Sequence, residues 1–94
     1  MQVRWTEPAA QDLEGISEYI RTDRPAAAEK IAKALFDAAN GLSVFPARGR
    51  GGKIPGTHEL VVTGLPYIIV YRITDTAIHI LRIYHAARDW PGEF

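Results

Sequence analysis

Two stretches of the chain carry side chains able to do chemistry on an anion. The segment Arg82-Ile83-Tyr84-His85-Ala86-Ala87-Arg88-Asp89-Trp90-Pro91 sets two arginines, a histidine, a tyrosine and a tryptophan at and just past a strand-like run. Guanidinium groups fork onto phosphate or carboxylate, and imidazole moves a proton near neutral pH. Arg and Trp are also the side chains most enriched at interface hot spots. The second stretch, Arg48, Arg50 and Lys53, lies among glycines and prolines, with Arg72 as a further cation at a strand end. The structural alternative for the first group is that Tyr84 and Trp90 pack over a sheet edge while Arg88 pairs with a carboxylate.

Other chemistries fail on spacing. Gly52-Lys53 suggests a phosphate loop, but Ala47 stands where glycine is needed and Ile54 where Ser or Thr is needed. Gly49 and Gly51 are followed by Ile54, which breaks a dinucleotide fingerprint. Strict alternation puts His79 and His85 on one face of the last strand, about 20 Å apart, too far to share an ion. There is no cysteine, which removes disulfides, thiolate nucleophiles and Cys-ligated zinc. Neither Ser17 nor Ser43 sits in a nucleophile-elbow sequence. No metal and no cofactor is expected.

The elements that must position these residues follow from composition and periodicity. The 94 residues are 47% hydrophobic and 23% charged, which fits a single folded domain over 1–94. No run approaches the roughly 18 apolar residues of a membrane helix, and Met1 to Trp5 do not open a signal peptide. A cytoplasmic protein is therefore expected. Eleven basic and eleven acidic groups cancel, with five and seven in residues 1–45 against six and four in residues 46–94. An autonomous nucleic-acid binder usually carries a basic surplus.

Val3 and Trp5 alternate with polar residues in a short first strand. Thr6 caps a helix with Glu7 and Pro8 in its first turn, and Ala9, Leu13, Ile16 and Ile20 form its apolar stripe. A four-residue join, 21–24, with Asp23 as cap, leads to a second stripe of Ala28, Ile31, Leu35, Ala38 and Leu42. Glu29 and Lys33 are spaced as an i,i+4 pair. Residues 43–56 read as a long loop, followed by strands at 58–63, 67–73 and 77–85 joined by short turns. The sequence predicts an α+β fold of order β-α-α-β-β-β, a helical hairpin packed on a mainly antiparallel four-stranded sheet. Alternation puts Ile78 and Ile80 on one side of the last strand and Leu81 and Ile83 on the other, while Tyr67–Tyr71 is apolar on both. Two helices cover one face, so the other needs the chain's own tail or another protein against it.

Several stretches follow one another in an order and spacing that belong together. They are Trp5-Thr6-Glu7-Pro8-Ala9, Asp12-Leu13, Ile16, Tyr19-Ile20, Pro25, Ala27 and Ala28, then Leu42, Pro46 and Gly49-Arg50. The strongest are Glu59-Leu60-Val61-Val62, Leu65-Pro66-Tyr67-Ile68-Ile69-Val70-Tyr71-Arg72 and His85-Ala86-Ala87-Arg88-Asp89-Trp90-Pro91. In these the chain resembles the RelE/ParE family of type II toxin–antitoxin toxins, over almost its whole length. The resemblance implies the same β-α-α-β-β-β fold and a growth inhibitor silenced by a ParD- or RelB-like antitoxin in a hetero-oligomer. It also implies a role of the plasmid-stabilisation kind, and contact with DNA only through the antitoxin.

Two activities occur in that family. RelE-like members are ribosome-dependent mRNA endonucleases that use basic side chains and an acid/base group, roles that would fall here to His85, Arg88, Arg50 and Lys53. Such nucleases carry arginine where this chain has Ile68, and a tyrosine about where Phe94 stands. ParE-like members poison DNA gyrase by binding, with their C-terminal region implicated. Ile68, Phe94 and the zero net charge favour the ParE-like activity, with Arg82, Tyr84, His85, Arg88, Trp90 and Arg72 as target-binding candidates. A non-toxic, antitoxin-binding family member is the third alternative.

Overall fold

The computed structural model describes residues 1–87; Arg88, Trp90 and Phe94 lie outside them. Strand β1 (Gln2–Trp5) leads into helix α1 (Glu7–Asp23) and helix α2 (Pro25–Asn40). Two 3-10 turns (Gly41–Ser43 and Pro46–Arg48) precede the two-residue strand β2 (Arg50–Gly51). Strands β3 (His58–Val61), β4 (Tyr67–Ile73) and β5 (Ala77–His85) complete a sheet of order β1-β5-β4-β3-β2. Only β1, lying against β5, runs parallel to its neighbour; the other pairs are antiparallel. The α+β hairpin-on-sheet architecture is as the sequence predicts, with β2 as a fifth strand inside the expected loop. Among the described residues no helix is long and apolar enough to cross a membrane.

Thr6 caps α1 as expected, its hydroxyl accepting from the Ala9 N–H. The second cap differs. Proline disfavours helical backbone in the residue before it, so Pro25 holds Arg24 out of the helical region (φ −140°, ψ 79°) and the break falls there. Helix α1 therefore continues through Asp23, and one residue joins the helices in place of four. Lys33 also chooses a different partner, bonding Asp37 at 2.7 Å one turn onward, both side chains largely exposed.

The hairpin buries its stripe against one face of the sheet. Ala9, Ile20, Ala28, Leu35 and Leu42 meet Leu60, Tyr67, Ile69, Tyr71, Ile78, Ile80 and Ile83 in one core. Ile83 is on the helix side because β5 carries a bulge: Tyr71 pairs with Ile80 and Val70 with Arg82, leaving Leu81 as the extra residue. The bulge resets the alternation, so Ile83 joins Ile78 and Ile80 and does not side with Leu81. It also divides the histidines, because His79 pairs with Arg72 on the far face while His85 pairs with core-facing Tyr67. Ile68 and Val70 remain on the far face and are nonetheless 6% and 0% exposed.

The start of α1 satisfies the backbone of the bulge. Thr6 donates its hydroxyl to the Ile80 carbonyl at 2.7 Å and lies 3.3 Å from that of Leu81. Asp12 accepts from Arg82 Nε at 2.7 Å, Arg82 Nη2 at 3.0 Å and the Ile83 N–H at 2.9 Å. Removing one member of a desolvated charged pair strands the other, at a cost of about 2–4 kcal/mol. Urea unfolding of Asp12→Ala is expected to show a loss of that size, with Asp12→Asn losing less.

Candidate functional site

The bulge sorts the C-terminal candidates onto different surfaces. Arg82 is turned to helix α1, and its hydrogen bond to Asp12 raises the guanidinium pKa further above an already high ordinary value. His85 lies edge-on to Tyr67, ring centroids 5.4 Å apart, and its Nδ1 accepts from the Ala87 N–H. Both residues border a groove beside α1 that also includes Tyr19, Arg24 and Ile31. Tyr84 pairs with Ile68 on the far face. Burial raises its phenol pKa, Glu59 adds to the rise and Arg50 opposes it.

The basic loop is built rather than free-running. Glu59, 3% exposed, accepts from the Arg50 guanidinium at 3.2 Å and the Lys53 N–H at 3.3 Å. The buried Tyr71 hydroxyl donates to the Pro46 carbonyl at 2.7 Å and accepts the Gly49 N–H at 2.8 Å. Gly49 has no room for a side chain, since a Cβ there would stand 2.6 Å from that hydroxyl. The Gly52 N–H bonds the Thr57 carbonyl at 2.8 Å, closing the loop back on β3. Arg50 and Lys53 are thus fixed at the β2 edge.

Tyr84 lies on the same face as the Arg50–Glu59 pair, within reach of their charges, and Arg72 shares that face. The structure does not bring His85 to Arg50 and Lys53. His85 and Arg50 lie on opposite faces, three strand spacings or about 14 Å apart across the sheet, and Lys53 follows β2 in the loop beyond. Among the described residues no three His, Asp or Glu side chains converge to hold a metal ion. Glu59, Tyr71 and Asp12 were not singled out as site-building residues by their chemistry. A carboxylate and a phenol inside apolar strand runs, Glu59-Leu60-Val61 and Ile69-Val70-Tyr71, are the signals that mark two of them.

Comparison with known proteins is consistent along the chain. Residues 3–90 match the family model described as ParE toxin of type II toxin-antitoxin system, parDE. Toxin RelE2 of Caulobacter vibrioides is 45% identical over 87 residues, 93% of this chain and 97% of that protein. A structure titled as the chromosomal ParDE TA system from P. aeruginosa superposes with a TM-score of 0.84 at 27% identity, covering 90% of this chain and 95% of that one. The RelBE2 toxin-antitoxin complex of Mycobacterium tuberculosis gives a TM-score of 0.65 at 29% identity, covering 89% and 95%.

Tyr71→Phe is expected to release the loop, with a stability loss of about 1–3 kcal/mol and faster hydrogen exchange at the Gly49 amide. Burial raises the Tyr71 phenol above its ordinary value of 10.0, an effect only partly offset by the Gly49 bond. A raised folded pKa means that this stability is complete below pH 10.0 and fades as pH climbs through the folded value. Urea titrations between pH 8 and about 12 should show that decline in the parent protein and a shallower one, carried by Tyr84, in Tyr71→Phe.

Proposed function

This chain belongs to the ParE toxin family of type II toxin–antitoxin systems, and we propose that it inhibits growth by binding DNA gyrase, without catalysis of its own. The observation that supports this over RNA cleavage is the separation just described. A nuclease needs its proton-transfer group and its phosphate-stabilising cations around one reacting centre, within hydrogen-bond reach. His85 stands on the helix side while Arg50 and Lys53 stand at the far edge, and Arg82 is engaged by Asp12. Ile68 occupies the centre of the far face with an apolar side chain.

An antitoxin is the second part of the proposal. The groove beside α1 combines apolar Ile16, Ile31 and Tyr67 with Arg24 and a Tyr19 that is 69% exposed. Such a surface suits the amphipathic segment of a protein partner. Covering it would also cover His85 and the end of β5, so one segment would block both.

Supercoiling by purified gyrase, measured with increasing amounts of the purified chain, tests the target. Relaxed plasmid should accumulate at micromolar concentrations or below, while message on programmed ribosomes stays intact. Cleaved message with normal supercoiling would overturn the gyrase assignment and return His85 to a catalytic role.

A further inference from the structure

Arg4, His79 and Arg72 stand opposite one another on three neighbouring strands. Arg4 pairs with His79 between β1 and β5, and His79 with Arg72 between β5 and β4. The row faces away from the helices, because the next residues in register, Trp5, Ile80 and Tyr71, are on the core side. With strands about 4.8 Å apart, the two arginines are about 10 Å from each other.

The described residues give this row no counter-charge. Arg4 donates to the neutral Gln2 Oε1 at 3.3 Å, and neither arginine forms an ion pair among the described residues. Glu59 shares their face but is engaged by Arg50, and Asp75 sits in the exposed turn beyond Arg72 without an ion pair. The Arg72 guanidinium lies beside the backbone turn at Gly56. Gly56, in the left-handed region at φ +83°, packs against it so closely that a Cβ would stand 2.8 Å from Nη1. Two cations on one face without an ion pair among the described residues are open to an anion that arrives from outside.

We propose that the Arg4–His79–Arg72 row is a docking surface for an acidic polypeptide segment of a partner protein, lying across the strands with its carboxylates on the two guanidinium groups. Each arginine can take a carboxylate in a forked pair. A polypeptide is favoured over nucleic acid by the zero net charge of the chain, because phosphate neutralisation supplies most nucleic-acid affinity. The inference is independent of whether gyrase is the target.

A fluorescein-labelled deca-glutamate peptide and a labelled decathymidylate, followed by anisotropy at low salt, are the probes. The unmodified chain should bind the peptide more tightly than the oligonucleotide. The double variant Arg4→Gln/Arg72→Gln should lose at least tenfold in peptide affinity, whereas Lys30→Gln on helix α2 should lose none. No peptide binding by the unmodified chain, or equal binding by the double variant, would overturn the proposal. Tighter binding of decathymidylate, lost in the double variant, would overturn it in favour of nucleic acid.

Discussion

The extra residue in β5 loosens backbone that must find partners elsewhere, and the start of helix α1 supplies them. Carbonyls of Ile80 and Leu81 face the Thr6 hydroxyl, while the Ile83 N–H and the Arg82 guanidinium converge on Asp12. Thr6 is also the helix cap. One short segment therefore starts a helix, closes a bulge and sets the approach of helix to sheet. Because buried polar groups are costly when unpaired, these bonds fix the bulge to one register. The register in turn decides that Ile83 fills the core and that Tyr84 looks the other way.

From that register the molecule acquires two dissimilar sides. The helix side carries the groove with His85, Tyr67 and Tyr19, suited to an amphipathic segment. The far side carries cations in ordered positions, some neutralised internally and some not. Glu59 belongs to the first kind of arrangement, spending its charge on Arg50 and on the loop backbone. Its burial makes the loop part of the sheet, so the cations at the β2 edge are presented with little ordering left to do on contact.

Much of the fold could be read from residue order, because it follows local rules. The Thr6 cap, both apolar stripes and the three strand-forming runs are set by side chains within a few positions of one another. What could not be read depends on contacts across long sequence distances or on backbone sterics between neighbours. Nothing in Ile80-Leu81-Arg82 marks a bulge, as no glycine is present, and it depends on acceptors and donors about 70 positions away. Without it, His79 and His85 fall on one face and Ile83 on the wrong one. Asp23 looks like a cap by residue type, but Pro25 acts on Arg24 and moves the break by one. The loop at 43–56 reads as irregular from its glycines and prolines, whereas Gly49 and Gly52 are there because Tyr71 and Thr57 come close. At the candidate site the residue types were legible and their grouping was not. Tyr84, Arg50 and Arg72 share a face, His85 does not, and Arg88 and Trp90 lie beyond the described residues.

The parallel pairing of β1 with β5 has a bearing on when the surfaces of the protein form. Among the described residues β1 has its one hydrogen-bonded neighbour in β5, some 75 positions later, and Thr6 and Asp12 wait for the same partner. Contacts spanning most of a chain cannot reward its closure until nearly all of it is made. During synthesis the helical hairpin is thus left with its apolar stripe uncovered and no sheet to lie on. The groove beside α1 does not exist in that interval, and neither does the cationic row. A chain built this way acquires both surfaces together, in one late step of folding.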